Sequence, residues 1–172
     1  MLAAEVLRDD PRFCFIFAGG GKQKAAVVES VTTRQLQNVI LLPYQSPEAH
    51  AELSRSAHLH LVSFGDAMIG CVHPSKFYTA LGVGKPVLLV GSARSPLAST
   101  LAEQDCGWRV DHGDVDAVVA RLRHLLTIAG RQELKDKAAA SARTRDTLFE
   151  PDALRRCWAD HVDQVLRGGR SA

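Results

Sequence analysis

Short apolar runs alternate along the chain with longer amphipathic stretches. "RFCFIFAGG" (12–20) reads as a buried strand that stops at glycines, and "KQKAAVVESVTTRQLQ" (22–37) as the helix after it. "NVILLPY" (38–44) is a second strand, closed by Pro43. "SPEAHAELSRSA" (46–57) carries a helix start, with Ser46 as N-cap, Pro47 at the first helical position and Glu48 in the first turn. "HLHLVSF" (58–64) is a third strand, 65–73 a loop, 74–82 a helix and "PVLLVG" (86–91) a fourth strand. "SPLASTLAEQDC" (95–106) is a helix opened by Ser95-Pro96, and "GWRVD" (107–111) a short last strand. "DVDAVVARLRHLLTIA" (114–129) is a helix capped by Asp114. From about Gly130 the pattern is helical, over 131–146 and again over 150–166, and the tail "RGGRSA" is expected to fray.

Strands that are apolar throughout, rather than alternating, need cover on both faces. Strand–helix alternation therefore predicts an α/β fold, a Rossmann-like parallel sheet in three layers with helices on both faces. We expect one such domain over 1–150, followed by a C-terminal helix and tail over 151–172. On that helix Leu154, Trp158, Val162 and Val165 fall on one stripe, a pattern that usually means core packing. Sheets of this kind bind ligands beyond the carboxyl ends of their strands. Those ends are Gly19-Gly20-Gly21, Pro43-Tyr44, Phe64 to Cys71 and Gly91 to Pro96.

Composition narrows the function only a little. Of 172 residues, 46% are hydrophobic and 23% charged, which is ordinary for a globular domain. A net charge of +2 gives no bulk reason to expect nucleic acid or an anionic membrane. No apolar run is long enough for a membrane span, and the first residues lack the pattern of a signal peptide, so a cytoplasmic location is expected. Cys14, Cys71, Cys106 and Cys157 stand singly and read as reduced, half-buried thiols. His58 and His60 alternate on one strand face, but no third ligand falls in register, so no metal is expected.

The most informative stretch is "HPSKFYTALGVGKPVLLVG" (73–91). Pro74 has its φ preset for a first helical turn, so a helix begins at 73–76. The free N–H groups of Ser75, Lys76 and Phe77 then point out of the positive end of the helix dipole. The Ser75 hydroxyl and the Lys76 charge complete an anion site suited to phosphate. A plain helix cap accounts for Pro-Ser about as well. Gly84 fits the position after the helix, and Pro86 stops it continuing. The next helix start, at Ser95-Pro96, follows the next strand and faces the same crevice. "AGGGKQK" allows close backbone approach of a ligand but matches neither G-x-G-x-x-G nor a P-loop. That mismatch also argues against a dinucleotide-dependent sugar epimerase. His73 borders the Pro-Ser-Lys site, where it suits either a hydrogen bond to ligand or a solvated loop, and Asp66 is the nearby carboxylate.

Four segments together resemble a known family: "DDPRFCFIFAGGGKQKAAV", "LQNVILLPYQSPEAHAELSRSAHLHLVSF", "HPSKFYTALGVGKPVLLVG" and "LAEQDCGWRVDHGDVDAVVARLRHLL". They look like the C-terminal, nucleotide-sugar-binding half of family-4 (group 1) glycosyltransferases of the GT-B fold, in the branch that builds bacterial surface polysaccharides. Pro-Ser-Lys with Gly-Lys-Pro-Val ten residues on is the most specific part. The resemblance implies a donor site for a nucleotide-diphosphate sugar, UDP- or GDP-linked, with no cofactor and no metal. It places the diphosphate at Ser75, Lys76 and the loop around Gly70, the donor sugar or ribose near Gly70 and Thr79, and the base against Tyr44. Gly20 and Ser95 fall in the remaining strand-end loops that line the site. The acceptor would be bound by a separate domain, typically as a lipid-linked sugar, which implies peripheral contact with the inner membrane through that partner.

The chain departs from the family in three ways. Many relatives carry Glu-x7-Glu where Cys71 and Thr79 stand here, although the Pro-Ser-Lys branch often lacks the second glutamate. Thr79 offers only a neutral hydrogen bond in place of a carboxylate. The acceptor domain is not in the sequence. "MLAAEVLRDDPRF" matches the end of the domain's first helix, so the central first strand is expected to be lacking. We expect the gap to close by direct pairing, to be filled by another chain, or to weaken the fold. These departures favour a second reading, a non-catalytic subunit or truncated fragment that needs an acceptor-domain partner or self-associates.

Overall fold

The computed structural model describes residues 1–168, so the expectation that the tail frays lies largely outside the described residues. The elements run α1 (Leu2–Val6), β1 (Phe15–Ala18), α2 (Lys24–Thr33), β2 (Val39–Leu42), α3 (Pro47–Ser56) and β3 (His60–Phe64). A 3-10 turn (Asp66–Met68) leads to α4 (Ser75–Gly82), β4 (Val87–Gly91), α5 (Pro96–Gln104) and β5 (Gly107–Val110). Three helices follow, α6 (Val115–His124), α7 (Ile128–Leu148) and α8 (Pro151–Gly168).

All strand pairings are parallel, as the apolar runs predict, but they form two sheets. One is β1-β2, with Phe15 opposite Val39, and the other is β3-β4-β5, with His60 opposite Val87 and Val87 opposite Gly107. Direct pairing of β1 with β3, one of the three expectations for the gap, does not occur.

The larger sheet is covered on both faces. Val87 and Leu89 point into a cluster with Phe77 and Leu81 of α4, Leu97 and Leu101 of α5 and Ala140 of α7. Leu88 points the other way, to Leu7, Trp108 and the α6 residues Val118, Val119 and Leu122. Each such side chain buried in full contributes roughly 1.5–3 kcal/mol. The smaller sheet has a thin core of Ala4, Leu36 and Val39, and Ile16, Phe17 and Ile40 remain exposed.

The break expected at Gly130, between a helix over 114–129 and one over 131–146, comes earlier. α6 ends at His124, and Thr127 caps α7 by accepting from Gly130 N at 3.0 Å. A Cβ at Gly130 would lie 2.0 Å from His124 O, so only glycine permits this corner. α7 is tied to the sheet by Lys137, whose Nζ meets Asp105 Oδ1 at 2.5 Å, and by the Ser141 hydroxyl, which donates to Cys106 O. Glu133 accepts from Trp108 Nε1 at 2.6 Å and is approached by Arg121 and His124. Burial pushes the Glu133 carboxyl up, but these three partners outweigh it and hold it below the usual range.

Two surface expectations need correction. The α8 stripe does not pack into a core: Leu154, Trp158, Val162 and Val165 are all exposed, Trp158 at 70%. The thiols are not uniformly half-buried either. Cys106 is buried, while Cys14, Cys71 and Cys157 are exposed.

Candidate functional site at the strand ends

α4 begins where Pro74 directs it. Pro74 is the N-cap in extended conformation and has no side chain to cap the helix, and Ser75 is the first helical residue. Phe77 N donates to Pro74 O, so it is not free as expected. The Ser75 and Lys76 amides have no acceptor among the described residues. No acidic side chain occupies the first turn, so the positive end of the helix is uncompensated. Ser75 and Lys76 are exposed, and Lys76 forms no ion pair among the described residues. Thr79 sits one turn further on and donates its hydroxyl to Ser75 O at 3.1 Å. It can therefore offer a ligand only acceptor capacity.

The loop before α4 is exposed. Gly70 adopts φ +81 with open space around its missing Cβ. Cys71 beside it is exposed. His73 Nδ1 and Tyr78 Oη share a hydrogen bond of 2.8 Å, which fixes the imidazole against α4. Tyr78 packs edge-on against Phe77 and Phe149, and burial pushes its hydroxyl pKa up, so it stays neutral.

Arg94, Arg109 and His112, which the sequence did not single out, stitch the strand ends together. Arg94 from the β4–α5 loop reaches Asp66 of the β3–α4 loop at 3.6 Å. Arg109 donates to Gly91 O and Asp111, and His112 Nε2 meets Phe64 O at 2.9 Å. Ser95 is fully buried, and its hydroxyl accepts from Leu97 N as the cap of α5. It thus supports the loop from beneath. A shallow depression of about 380 Å³ between α5 and β5 includes Ala98, Trp108 and Arg109 but neither Ser75 nor Lys76.

Gly20 and Tyr44 come together at the ends of β1 and β2. The Tyr44 ring lies over the glycine turn so closely that a Cβ at Gly20 would sit 2.8 Å from it. The ring's other face is open, since Tyr44 is 79% exposed. Hydrogen bonds and ion pairs do not link this pair to Gly70, Ser75 or Lys76 among the described residues. His60 is used structurally, with Nε2 on Ser54 O at 3.0 Å. No cluster of side chains suited to a metal ion occurs among the described residues.

With this geometry in view, the solved structures are informative. Staphylococcus aureus TarM, as a point mutant in complex with Fondaparinux, alpha-GlcNAc-glycerol and UDP, matches 92% of this chain with a TM-score of 0.67 at 14% identity. A second TarM crystal structure gives 0.65 at 13% identity. The likeness is one of fold: parallel sheets flanked by helices in a Rossmann-like α/β arrangement, as in part of TarM. The chain spans 31% and 30% of the two TarM chains. No protein-family model and no curated protein matches it. No described helix is long and apolar enough to cross a membrane.

Proposed function

We propose that this chain is the donor-binding part of a glycosyltransferase. It holds a nucleotide-diphosphate sugar, UDP- or GDP-linked, whose sugar passes to an acceptor hydroxyl. The observation that carries the reading is the bare amino end of α4, with two free amides and the exposed Lys76 at the carboxyl end of β3. The UDP held by the TarM structure of like fold supports it.

The parts have separate roles. The Ser75 and Lys76 amides and the Lys76 ammonium face the diphosphate. As the sugar–phosphate bond breaks, charge builds on the departing diphosphate, and these groups stabilise it more than they stabilise the intact donor. Gly70 leaves room for the sugar, and Thr79 accepts from a sugar or ribose hydroxyl. Tyr44 offers its open face to the base, over a turn where Gly20 leaves room for its ring. Ser95 acts through the loop it caps. The setting is surface-polysaccharide synthesis at the cytoplasmic side of the membrane, in the C-terminal half of a family-4 enzyme.

A second reading follows from one observation. Cys71 and Thr79 stand where carboxylates are expected, so the chain serves as a binding subunit whose acceptor domain is supplied by a partner. Both readings require nucleotide binding. Calorimetry with UDP, GDP and their sugar conjugates is expected to find one that saturates. Lys76→Ala is expected to weaken binding by about tenfold or more, in a protein whose melting curve is unchanged. A folded sample that binds none of them at millimolar concentration sinks both readings.

A further inference from the structure

Three basic side chains cross between the carboxyl ends of the larger sheet, and two of them are committed. Arg109 Nη1 donates to Gly91 O at 3.0 Å and to Asp111 Oδ1 at 2.6 Å. His112 Nε2 meets Phe64 O at 2.9 Å. Arg94 differs. Among the described residues its guanidinium meets Asp66 alone, at 3.6 Å, which is a charge contact rather than a hydrogen bond. The two side chains are 79% and 51% exposed. An exposed pair of this kind adds little to stability and is easily broken.

Both ends of the pair are nonetheless anchored through the backbone. Arg94 N donates to Ser92 Oγ at 3.2 Å, and Ser95 N to Ser92 O at 3.1 Å, beside the buried Ser95 cap. Asp66 opens the 3-10 turn after β3, where Met68 N donates to Gly65 O and Ile69 N to Asp66 O. The guanidinium can therefore swing on a loop that stays in place.

Position gives the pair its use. β3 and β4 are parallel neighbours, and the loops after them lead to α4 and α5, which pack in one cluster on one face of the sheet. The pair spans those two loops beside the amino end of α4. Asp66 is the one acid in the segment 65–73 that leads to Ser75. It neutralises Arg94 and opposes any anion that approaches Ser75 and Lys76. A phosphate group offers Arg94 more than Asp66 does. The guanidinium fork takes two phosphate oxygens in parallel hydrogen bonds, a stronger arrangement than one charge contact at 3.6 Å.

We propose that the Arg94–Asp66 pair is a clasp across the donor crevice, and that Arg94 leaves Asp66 for the diphosphate as the donor binds. This rests on the donor-binding reading, since it needs a nucleoside diphosphate at the amino end of α4. Asp66 then tunes affinity: it holds Arg94 away from the ligand in the empty chain, and the fraction of chains with Arg94 released limits binding.

Calorimetry on the full chain tests the exchange, with UDP or GDP, whichever the parent binds, and with the matching monophosphate. Thermal melts confirm that each variant is folded. Asp66→Asn releases Arg94 and is expected to tighten the diphosphate by about threefold or more. Arg94→Lys keeps the charge and a partner for Asp66 but loses the fork. It is expected to weaken the diphosphate by about tenfold and the monophosphate by less. If both substitutions weaken binding alike, the pair is a fixed brace between two loops and the clasp is wrong. If Arg94→Lys binds the diphosphate as the parent does, Arg94 acts only as a distant charge, which also overturns it. A parent that binds while both variants match it removes the clasp alone. A folded parent that binds no nucleotide at millimolar concentration removes the donor-binding reading and the clasp with it.

Discussion

His60 illustrates how one side chain sets a pH response. Its ring is half-buried between the larger sheet and α3, and Nε2 meets Ser54 O. Burial disfavours the imidazolium and outweighs the hydrogen bond to Ser54 O, which favours it, so the pKa lies below 6.5, with Lys85 and His50 adding to the lowering. The unfolded chain therefore takes up this proton first as pH falls. Over the window from 6.5 downward it binds more protons than the folded chain, so stability drops with pH until the folded pKa is passed. His60→Gln keeps a donor for Ser54 O and cannot titrate. Thermal melts from pH 7.5 to 5.5 are expected to fall less steeply for the variant than for the parent. Equal slopes would mean that His60 is solvated enough to titrate normally. The helix start at Pro74 and the free amides of Ser75 and Lys76 were legible, because local geometry decides them. At Ser95, the N-cap of α5, the helix start was legible, but the full burial of the hydroxyl was not. Nor were the contacts of Arg94, Arg109 and His112, which meet the strand ends only through sheet register.

Elements obey the same division. The strands and most helices follow from apolar runs and from caps such as Ser46 and Asp114, which the structure places as N-caps accepting from Ala49 N and Ala117 N. The position of the break between α6 and α7 did not follow, because "LLTIAG" continues a helical pattern and Gly130 reads as an end rather than a beginning. What decides it is the crossing of two backbones at that glycine, 2.0 Å from any Cβ placed there. Gly130→Ala is expected to destabilise the chain by about 1–3 kcal/mol, the usual cost of overpacking, although alanine is the better helix former. A urea midpoint at or above the parent's would show that the corner can open freely. The α8 stripe misled for a related reason: helical spacing of Leu154, Trp158 and Val162 reports a face that wants burial, not one that has found it.

At the scale of the whole molecule the two sheets differ in how well they are held. β4 is central, paired on both sides, and sandwiched between the α4–α5–α7 cluster and the α1–α6 cluster. The β1-β2 sheet is a pair of four-residue strands over a core of three buried side chains. α2 buries no residue at all, and α3 buries only Ser54. Local opening costs least where few apolar contacts are lost. The region from β1 to α3 should therefore open without the rest of the chain, and its basic residues should report it. In brief trypsin digestion in about 1 M urea, still below the usual unfolding range, we expect cuts at Lys22, Lys24 and Arg34 before any at Arg109 or Lys137, read by mass spectrometry. Arg109 is held within β5 by Gly91 O and Asp111, and Lys137 is buried on α7 against Asp105, so neither is reached until the larger sheet unfolds. Simultaneous appearance of both sets of fragments would show that the sheets unfold as one cooperative unit.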